Sequence, residues 1–327
     1  MKRMVSGIKP TGNLTLGNYI GAIKQFVELN KNYESFIFVA DLHAITLPQE
    51  PKILKEKIKE IVGIYLACGL DSNDTYIFIQ SENIYHTLVS WILECNSYMG
   101  EMSRMTQYKD LASKEKNITT GIFTYPILMA SDILIYDADV VPTGIDQKQH
   151  IELTRNIAIR FNNRYGDTFK VPDEVIPEFG SKIMNLQNPL DKMGKSDDNP
   201  KGNIYLLDDL KQVRKKIMSA VTDSDNTIKY DLDKKPGISN LITIYSSLTN
   251  KSIKKIEDEF KNSNYGDFKS KVADEVIKLL EDIQSKYNNI INSNIIDETL
   301  DKGLIKSEKI AKEKAYQLLN KLGLGRY

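Results

Sequence analysis

The order of apolar patterns between residues 5 and 80 most constrains the fold of this chain. Val5 to Ile8 is a short strand candidate. Residues 18 to 29 place Ile20, Ile23 and Val27 on one helical face. The run "SFIFVAD" (35 to 41) is apolar without a break and ends in polar residues, as a strand buried on both faces should read. Residues 52 to 66 carry Leu54, Ile58, Ile61 and Tyr65 at the spacing of an amphipathic helix, and "TYIFIQ" (75 to 80) is the next strand. This strand–helix alternation predicts an α/β fold with a parallel sheet and right-handed crossovers. Ligands of such sheets bind beyond the carboxyl ends of the strands. That region includes the glycine-dense segment after the first strand and "DLHA" at 41 to 44.

After Asn203 the pattern changes. The remainder is polar, lysine-rich and helical. Val272, Val276, Leu279 and Ile283 mark one helix, and Ala311, Ala315, Leu318 and Leu322 another. The expected division is an α/β unit over 1–203 and an all-helical unit over 204–327, with the boundary just past "KMGKSDDNPKG". No internal repeat is visible. The charges balance, 44 basic against 44 acidic residues, so any basic surface must be local. Cys68 and Cys95 have no metal-ligand spacing, and reduced thiols in a cytoplasmic protein are the expectation. The N-terminal "MKRMVSGIKP" holds no apolar signal-peptide core, and no run approaches the roughly 18 apolar residues of a membrane helix.

The segment "VSGIKPTGNLTLGNYIGA" has glycines at 7, 12, 17 and 21. A P-loop needs G-x-x-x-x-G-K-[ST]. Gly7 to Gly12 is followed by Asn13 and Leu14, and Gly12 to Gly17 by Asn18 and Tyr19, so both fail. The dinucleotide pattern G-x-G-x-x-G is absent too. The loop still leads to a helix N-terminus near Asn18, where free N–H groups and the helix dipole favour an anion. A plain turn with a capping Asn reads equally well. A second segment, "DKMGKSDDNPKGN", sets two lysines around a glycine in an exposed loop. In a third, "PTGIDQKQHIELTRNIAIRF" (142 to 161), Asp146 can cap the following helix, with Gln149 reaching back as in a capping box.

In this order these segments resemble the class I aminoacyl-tRNA synthetases. Thr15-Leu16-Gly17-Asn18 stands where the class usually has His-Ile-Gly-His, and Lys192 to Ser196 where it usually has Lys-Met-Ser-Lys-Ser. "SGIKPTGNLTLGNYIGA", "DLHAIT", "MTQYKD", "TYPILMASDILIYDADVVPTGIDQKQHIELTR" and "KKPGISNLI" resemble, nearly end to end, the bacterial tryptophanyl-tRNA synthetase family. The resemblance implies a Rossmann-type catalytic domain with a helical dimer-interface insertion at about 82–136, followed by a helical domain that binds the tRNA anticodon. It implies a homodimer, ATP with magnesium as the substrate complex, and no permanent cofactor. L-tryptophan and ATP would give tryptophanyl-adenylate, and the tryptophan would pass to tRNA(Trp).

For ATP the resemblance implies Lys9, Pro10, Thr11, Gly17 and Asn18, then Gly144, Ile145 and Asp146 at ribose and adenine, and Ile183 beside the base. It adds Lys192, Met193, Gly194, Lys195 and Ser196 of the mobile lysine loop. The reaction is an in-line displacement at the α-phosphorus, so the protein mainly positions reactants and stabilises charge. Lys192, Lys195 and Asn18 would do so, Asn18 as an amide donor. Two positions depart from the family: Gly194 removes the usual serine hydroxyl, and Lys9 replaces the usual glutamine before Pro10.

Asp132 bears most on specificity. It lies in "TYPILMASDILIY", a predicted helix, on a face with Met129, Ile135 and Tyr136. A carboxylate on an apolar face needs a donor. The resemblance supplies an indole N–H, with Tyr125, Met129, Gln147 and His43 lining the pocket. A Lys, Arg or backbone N–H of the protein itself is the other reading. His150, on a face with Ile157 and Phe161, reads as a core or pocket-edge histidine, and His86 as surface or interface. Trp91 reads as packing or dimer contact. The last 27 residues hold seven basic and three acidic residues, which suits a tRNA backbone or a solvated helix face. Tyrosyl-tRNA synthetases share the loops, but "SGIKPTG" and "TYPILMASDIL" favour tryptophan. A small-molecule nucleotidyltransferase fits the helical half and basic tail less well. A non-catalytic module fits the retained lysines less well.

Overall fold

Five strands form one parallel sheet in the order β3–β2–β1–β4–β5. They are β1 (Arg3–Ile8), β2 (Glu34–Val39), β3 (Thr75–Ile79), β4 (Val140–Pro142) and β5 (Asp173–Val175). The structure is a computed structural model and describes residues 1–70, 74–114, 117–142, 147–175, 182–194 and 201–326. β1 pairs with β2 in register from Arg3↔Glu34 to Ile8↔Val39. β2 lies between β3 and β1 and is buried from Ser35 to Val39, as its unbroken apolar run requires. The chain moves outward from β1 to β3, then returns to lay β4 on the other side of β1. The strand order therefore reverses between β1 and β4, and their carboxyl ends open the crevice where such sheets bind ligands.

After β1 the chain enters α1 (Leu16–Asn18) and passes through a π-helical turn (Tyr19–Ile23) into α2 (Lys24–Leu29). Thr15 caps this helix. Its hydroxyl accepts from Asn18 N, and Asn18 Oδ1 accepts from Thr15 N, so Asn18 occupies the third position of a capping box. Two glycines of the loop have backbone reasons. Gly12 has φ +68°, a region closed to most side chains. A Cβ on Gly7 would stand 2.6 Å from the Phe38 ring. Gly21 faces open space.

α3 (Asp41–Ala44) follows β2 directly, and α4 (Pro51–Ala67) crosses over to β3. Between β3 and β4 lie α5 (Tyr85–Glu94), α6 (Met99–Met102), α7 (Thr106–Lys114) and α8 (Thr120–Leu134), so the segment near 82–136 is helical as expected. α9 (Lys148–Tyr165) joins β4 to β5. Beyond residue 203 the described residues hold only helical elements. These are α10 (Leu210–Met218), α11 (Pro236–Thr249), α12 (Ile253–Glu259), α13 (Tyr265–Ile291) and α14 (Ile295–Lys321). They share a core with the sheet: Val272, Val276 and Leu280 belong to the same apolar cluster as Ile37, Ile61 and Ile77. α14 runs back along β3, whose outer edge would otherwise offer unpaired backbone groups. The approach is so close that a Cβ on Gly303 would fall 1.8 Å from the Ile77 carbonyl oxygen.

Candidate active site

A cavity of about 460 Å³ lies at the carboxyl ends of β1 and β4. Ser6 to Lys9 form one wall, Val141 and Pro142 another, and α8 contributes Tyr125, Met129, Asp132 and Ile133. His43 enters from α3 and Gln147 from the start of α9. All five side chains expected at the amino acid, Asp132, Tyr125, Met129, His43 and Gln147, therefore meet in one cavity. Its remaining lining is largely apolar, including Phe26, Phe38 and Ala40.

Asp132 is 1% exposed, and its oxygens already carry three hydrogen bonds. Oδ2 accepts from His43 Nε2 at 2.7 Å. Oδ1 accepts from Gln80 Nε2 and His86 Nδ1, each at 2.7 Å. Burial alone would raise the carboxyl pKa. The hydrogen bonds and charges of His43 and His86 outweigh it and hold the group at about 2. The acid is thus an anion fixed in the cavity wall, with accepting capacity left on its oxygens. Asp132 lines the pocket, and its own protein supplies donors, which are two histidines and a side-chain amide rather than the Lys, Arg or backbone N–H of the other reading. The acid therefore stays paired whichever amino acid is bound. Tyr125 donates to Gln107 Oε1, and its hydroxyl lies 2.9 Å from His150 Nε2. Burial pushes the Tyr125 phenol up to about 12. The Lys9 ammonium stands 5.7 Å from the centre of the Tyr125 ring.

The two loop motifs meet beside this cavity. Ile183 and Met193 exchange a backbone hydrogen bond of 2.9 Å and form, with the Met184↔Lys192 bridge, a short antiparallel turn. That turn packs on Gly17, where a Cβ would lie 3.5 Å from both Ile183 and Met193. Ile183 and Met193 are each 1% exposed and Lys192 is exposed. Asn18 uses its Oδ1 for the cap, which leaves its NH₂ as the group able to donate outward. Pro10 is buried at the exit of β1, Thr11 and Gly194 are half-buried, and none of these three lines the cavity. Gly144, Ile145, Asp146, Lys195 and Ser196 lie outside the described residues.

Two further expectations are corrected. His86 is fully buried rather than on the surface. Its spacing to Val89, Ser90 and Leu93, at three, four and seven residues, is that of a buried helix face and carried the signal. Gln149 does not reach back to a cap. Its amide accepts from Thr106 N and donates to Arg104 O, while Gln147 takes the N-cap position of α9. His150, 2% exposed, is a buried histidine that reaches the cavity wall through Tyr125. Gln80 and Gln107 had not been singled out. Gln80 ends an apolar parallel strand at its ligand-facing end, which was a usable cue.

The profile described as "tRNA synthetases class I (W and Y)" matches residues 1–281. The chain belongs to this family. It is 54% identical to the tryptophan–tRNA ligase of Malacoplasma penetrans, over 100% of this chain and 99% of that one. The crystal structure of tryptophanyl-tRNA synthetase from Mycoplasma pneumoniae superposes with a TM-score of 0.91 at 35% identity, covering 99% of this chain and 98% of that one. The Campylobacter jejuni tryptophanyl-tRNA synthetase, solved in complex with ADP and tryptophan, gives a TM-score of 0.85 at 32% identity over 98% of this chain and 100% of that one.

Proposed function

We propose that the chain activates L-tryptophan with ATP to tryptophanyl-adenylate and transfers it to tRNA(Trp). The observation that carries the reading is the Asp132 anion in an otherwise largely apolar cavity at the strand-order reversal. An indole fills apolar space and donates one hydrogen bond, and a buried carboxylate accepts it strongly. Because Asp132 keeps its own donors, the gain for the correct substrate is the added bond to a charged acceptor, about 1.5–3 kcal/mol. Phenylalanine offers no such donor, and the tyrosine hydroxyl extends from the far end of a smaller ring. The likeness to tryptophan–tRNA ligases over the full length supports the same choice over tyrosine.

The tryptophan carboxylate attacks the α-phosphorus, and pyrophosphate leaves with the electrons of the broken P–O bond. Lys192 and Lys195 would close over the departing charge, and the Asn18 amide would donate to a phosphate oxygen. Gly144, Ile145 and Asp146 would hold ribose and adenine, with Ser196 completing the lysine loop. Magnesium would arrive with the ATP phosphates. Among the described residues no group of three or more His, Cys, Asp or Glu could hold a metal of the protein's own.

The helical region from 204 would bind the tRNA, its basic end segment meeting phosphates. Trp91, Tyr98 and Met99 are 65%, 61% and 74% exposed, an apolar face that would be covered in a homodimer. No helix among the described residues is long and apolar enough to cross a membrane, and a cytoplasmic location fits tRNA charging. ATP–pyrophosphate exchange with each of the twenty amino acids tests the activity. Exchange dependent on tryptophan alone is expected, and exchange driven by tyrosine in its place would overturn the assignment. Sedimentation equilibrium tests the dimer, which a single species near the 37.2 kDa chain mass would refute.

A further inference from the structure

Behind Asp132 a line of hydrogen bonds leads away from the cavity. His86 Nδ1 lies 2.7 Å from Asp132 Oδ1, and its Nε2 lies 2.7 Å from the Tyr136 hydroxyl. Asn83 Nδ2 donates to that hydroxyl at 3.1 Å. Ser131, beside Asp132, donates to the His86 carbonyl at 2.7 Å and ties α8 to α5 at the same level. His86, Tyr136 and Asn83 are all fully buried, and none of them lines the cavity. Their hydrogen bonds reach the cavity wall at Asp132.

The geometry restricts the imidazole. Because Asp132 accepts, Nδ1 must carry a proton, and Nε2 is left to the phenol. A ring bonded at both nitrogens cannot flip without losing both bonds. The phenol is fixed in turn, since Tyr136 stacks on Phe36 at 4.9 Å and 11°. We propose that His86 is a positioning residue for Asp132, and that Tyr136 holds the His86 ring in turn. The inference rests on the reading of the cavity as the tryptophan pocket.

Steady-state exchange kinetics with the full-length chain separate this role from a merely structural one, because the effect should fall on the tryptophan KM. His86→Leu removes both bonds and should raise the tryptophan KM by about 30-fold, as loss of a hydrogen bond to a charged group allows, while the ATP KM moves by less than about twofold. His86→Asn places Nδ2 where Nδ1 stood and should recover most of that loss. Tyr136→Phe deletes one oxygen, keeps the stacked ring, and should raise the tryptophan KM by about fivefold. Tyr136→Phe keeps the test decisive if His86→Leu does not fold. A tryptophan KM within about twofold of wild type in the folded variants overturns the inference, and so does an equal rise in both KM values. If the wild type itself shows no exchange with tryptophan, the functional reading fails and this inference with it. An active wild type with unaffected variants sinks only the inference.

Discussion

Gly17 packs against Met193, with room for a Cβ at 3.5 Å from both the Met193 side chain and its carbonyl oxygen. This contact joins the glycine-rich loop to the lysine loop, 176 positions apart in sequence, and so sets where Lys192 starts. An alanine at position 17 meets its neighbours at ordinary contact distance and needs no shift. A leucine must push the Ile183–Met193 turn away.

Gly17→Ala should therefore fold normally and keep its thermal midpoint. Gly17→Leu should displace the lysine loop by about 1 Å, enough to lower adenylate formation by roughly 10²-fold. Tryptophan binding should hardly change, since none of Gly17, Ile183 and Met193 lines the Asp132 cavity. Single-turnover adenylate formation and equilibrium tryptophan binding check this pair. Equal losses in both variants would show that the contact does not matter.

Asp132→Asn should weaken both recognition and the fold. The wild-type carboxyl, held at about 2, lies below the ordinary value of about 3.9 for an unfolded chain. A depressed carboxyl stabilises the fold fully above the unfolded value and loses that stabilisation as pH falls through the folded value. The contribution is a few kcal/mol at pH 7, of which little should remain near pH 2. The amide also turns an N–H toward donors already in place. The expected outcome is a deficit of about 2–3 kcal/mol in urea unfolding at pH 7, narrowing between pH 4 and 2. Tryptophan-dependent exchange should fall by ~10² or more, as loss of a charge-assisted bond allows, with ATP binding intact. A deficit that stays constant across the pH range would show that the charge is not its source.

The parts of this picture that were legible in the sequence are the local ones. "SFIFVAD" declared a buried parallel strand because nothing polar interrupts it. The cavity residues Asp132, Tyr125, Met129, His43 and Gln147 were found through family motifs, and the structure brings them together. Partnerships across distant segments were not legible. Asp132 and His86 are 46 residues apart, and Gly303 and Ile77 are 226 apart; no periodicity within one helix reveals what a neighbouring element supplies. Gln149 was misread for the same reason. Its spacing suited a local cap, but the side chain bonds Arg104 O and Thr106 N at the turn into α7.

Gly303→Ala should be among the most destabilising single changes in the helical half. A Cβ only 1.8 Å from the Ile77 carbonyl oxygen clashes with backbone, so no side-chain rotation relieves it. α14 must lift from β3, at a cost of about 3 kcal/mol. Hydrogen exchange should show faster exchange along β3 and α14 and little change in β4. Gly21→Ala serves as the contrast. Its Cβ meets open space, and the change should stabilise the helix by up to about 1 kcal/mol. A wild-type midpoint for Gly303→Ala would mean that α14 does not lie so close to the sheet edge.

Lys9 is the departure from the family whose place the structure now defines. Its ammonium lies over Tyr125, a wall of the amino-acid cavity, and burial lowers its pKa from the usual lysine value. Pro10 restricts the Lys9 backbone to extended conformations, which keeps the side chain aimed from the end of β1 across the cavity rim. A tryptophan whose indole meets Asp132 would send its carboxylate toward that rim, where it must also meet the α-phosphate. Lys9 should therefore act on both substrates, and not on the ATP phosphates alone. Lys9→Gln removes the charge and the cation–π contact, worth about 0.5–2 kcal/mol together. The tryptophan KM should rise by about three- to tenfold, with a smaller rise for ATP that grows at low magnesium, when the phosphates carry more uncompensated charge. Gly194→Ser should recover part of the ATP loss but none of the tryptophan loss. Position 194 has space for the serine, since a Cβ there meets only the Lys192 carbonyl oxygen, at 3.7 Å. Both Michaelis constants of the single and double variants, at two magnesium concentrations, decide the matter. If Lys9→Gln matches wild type for both substrates at both concentrations, the ammonium rests on Tyr125 without serving either substrate.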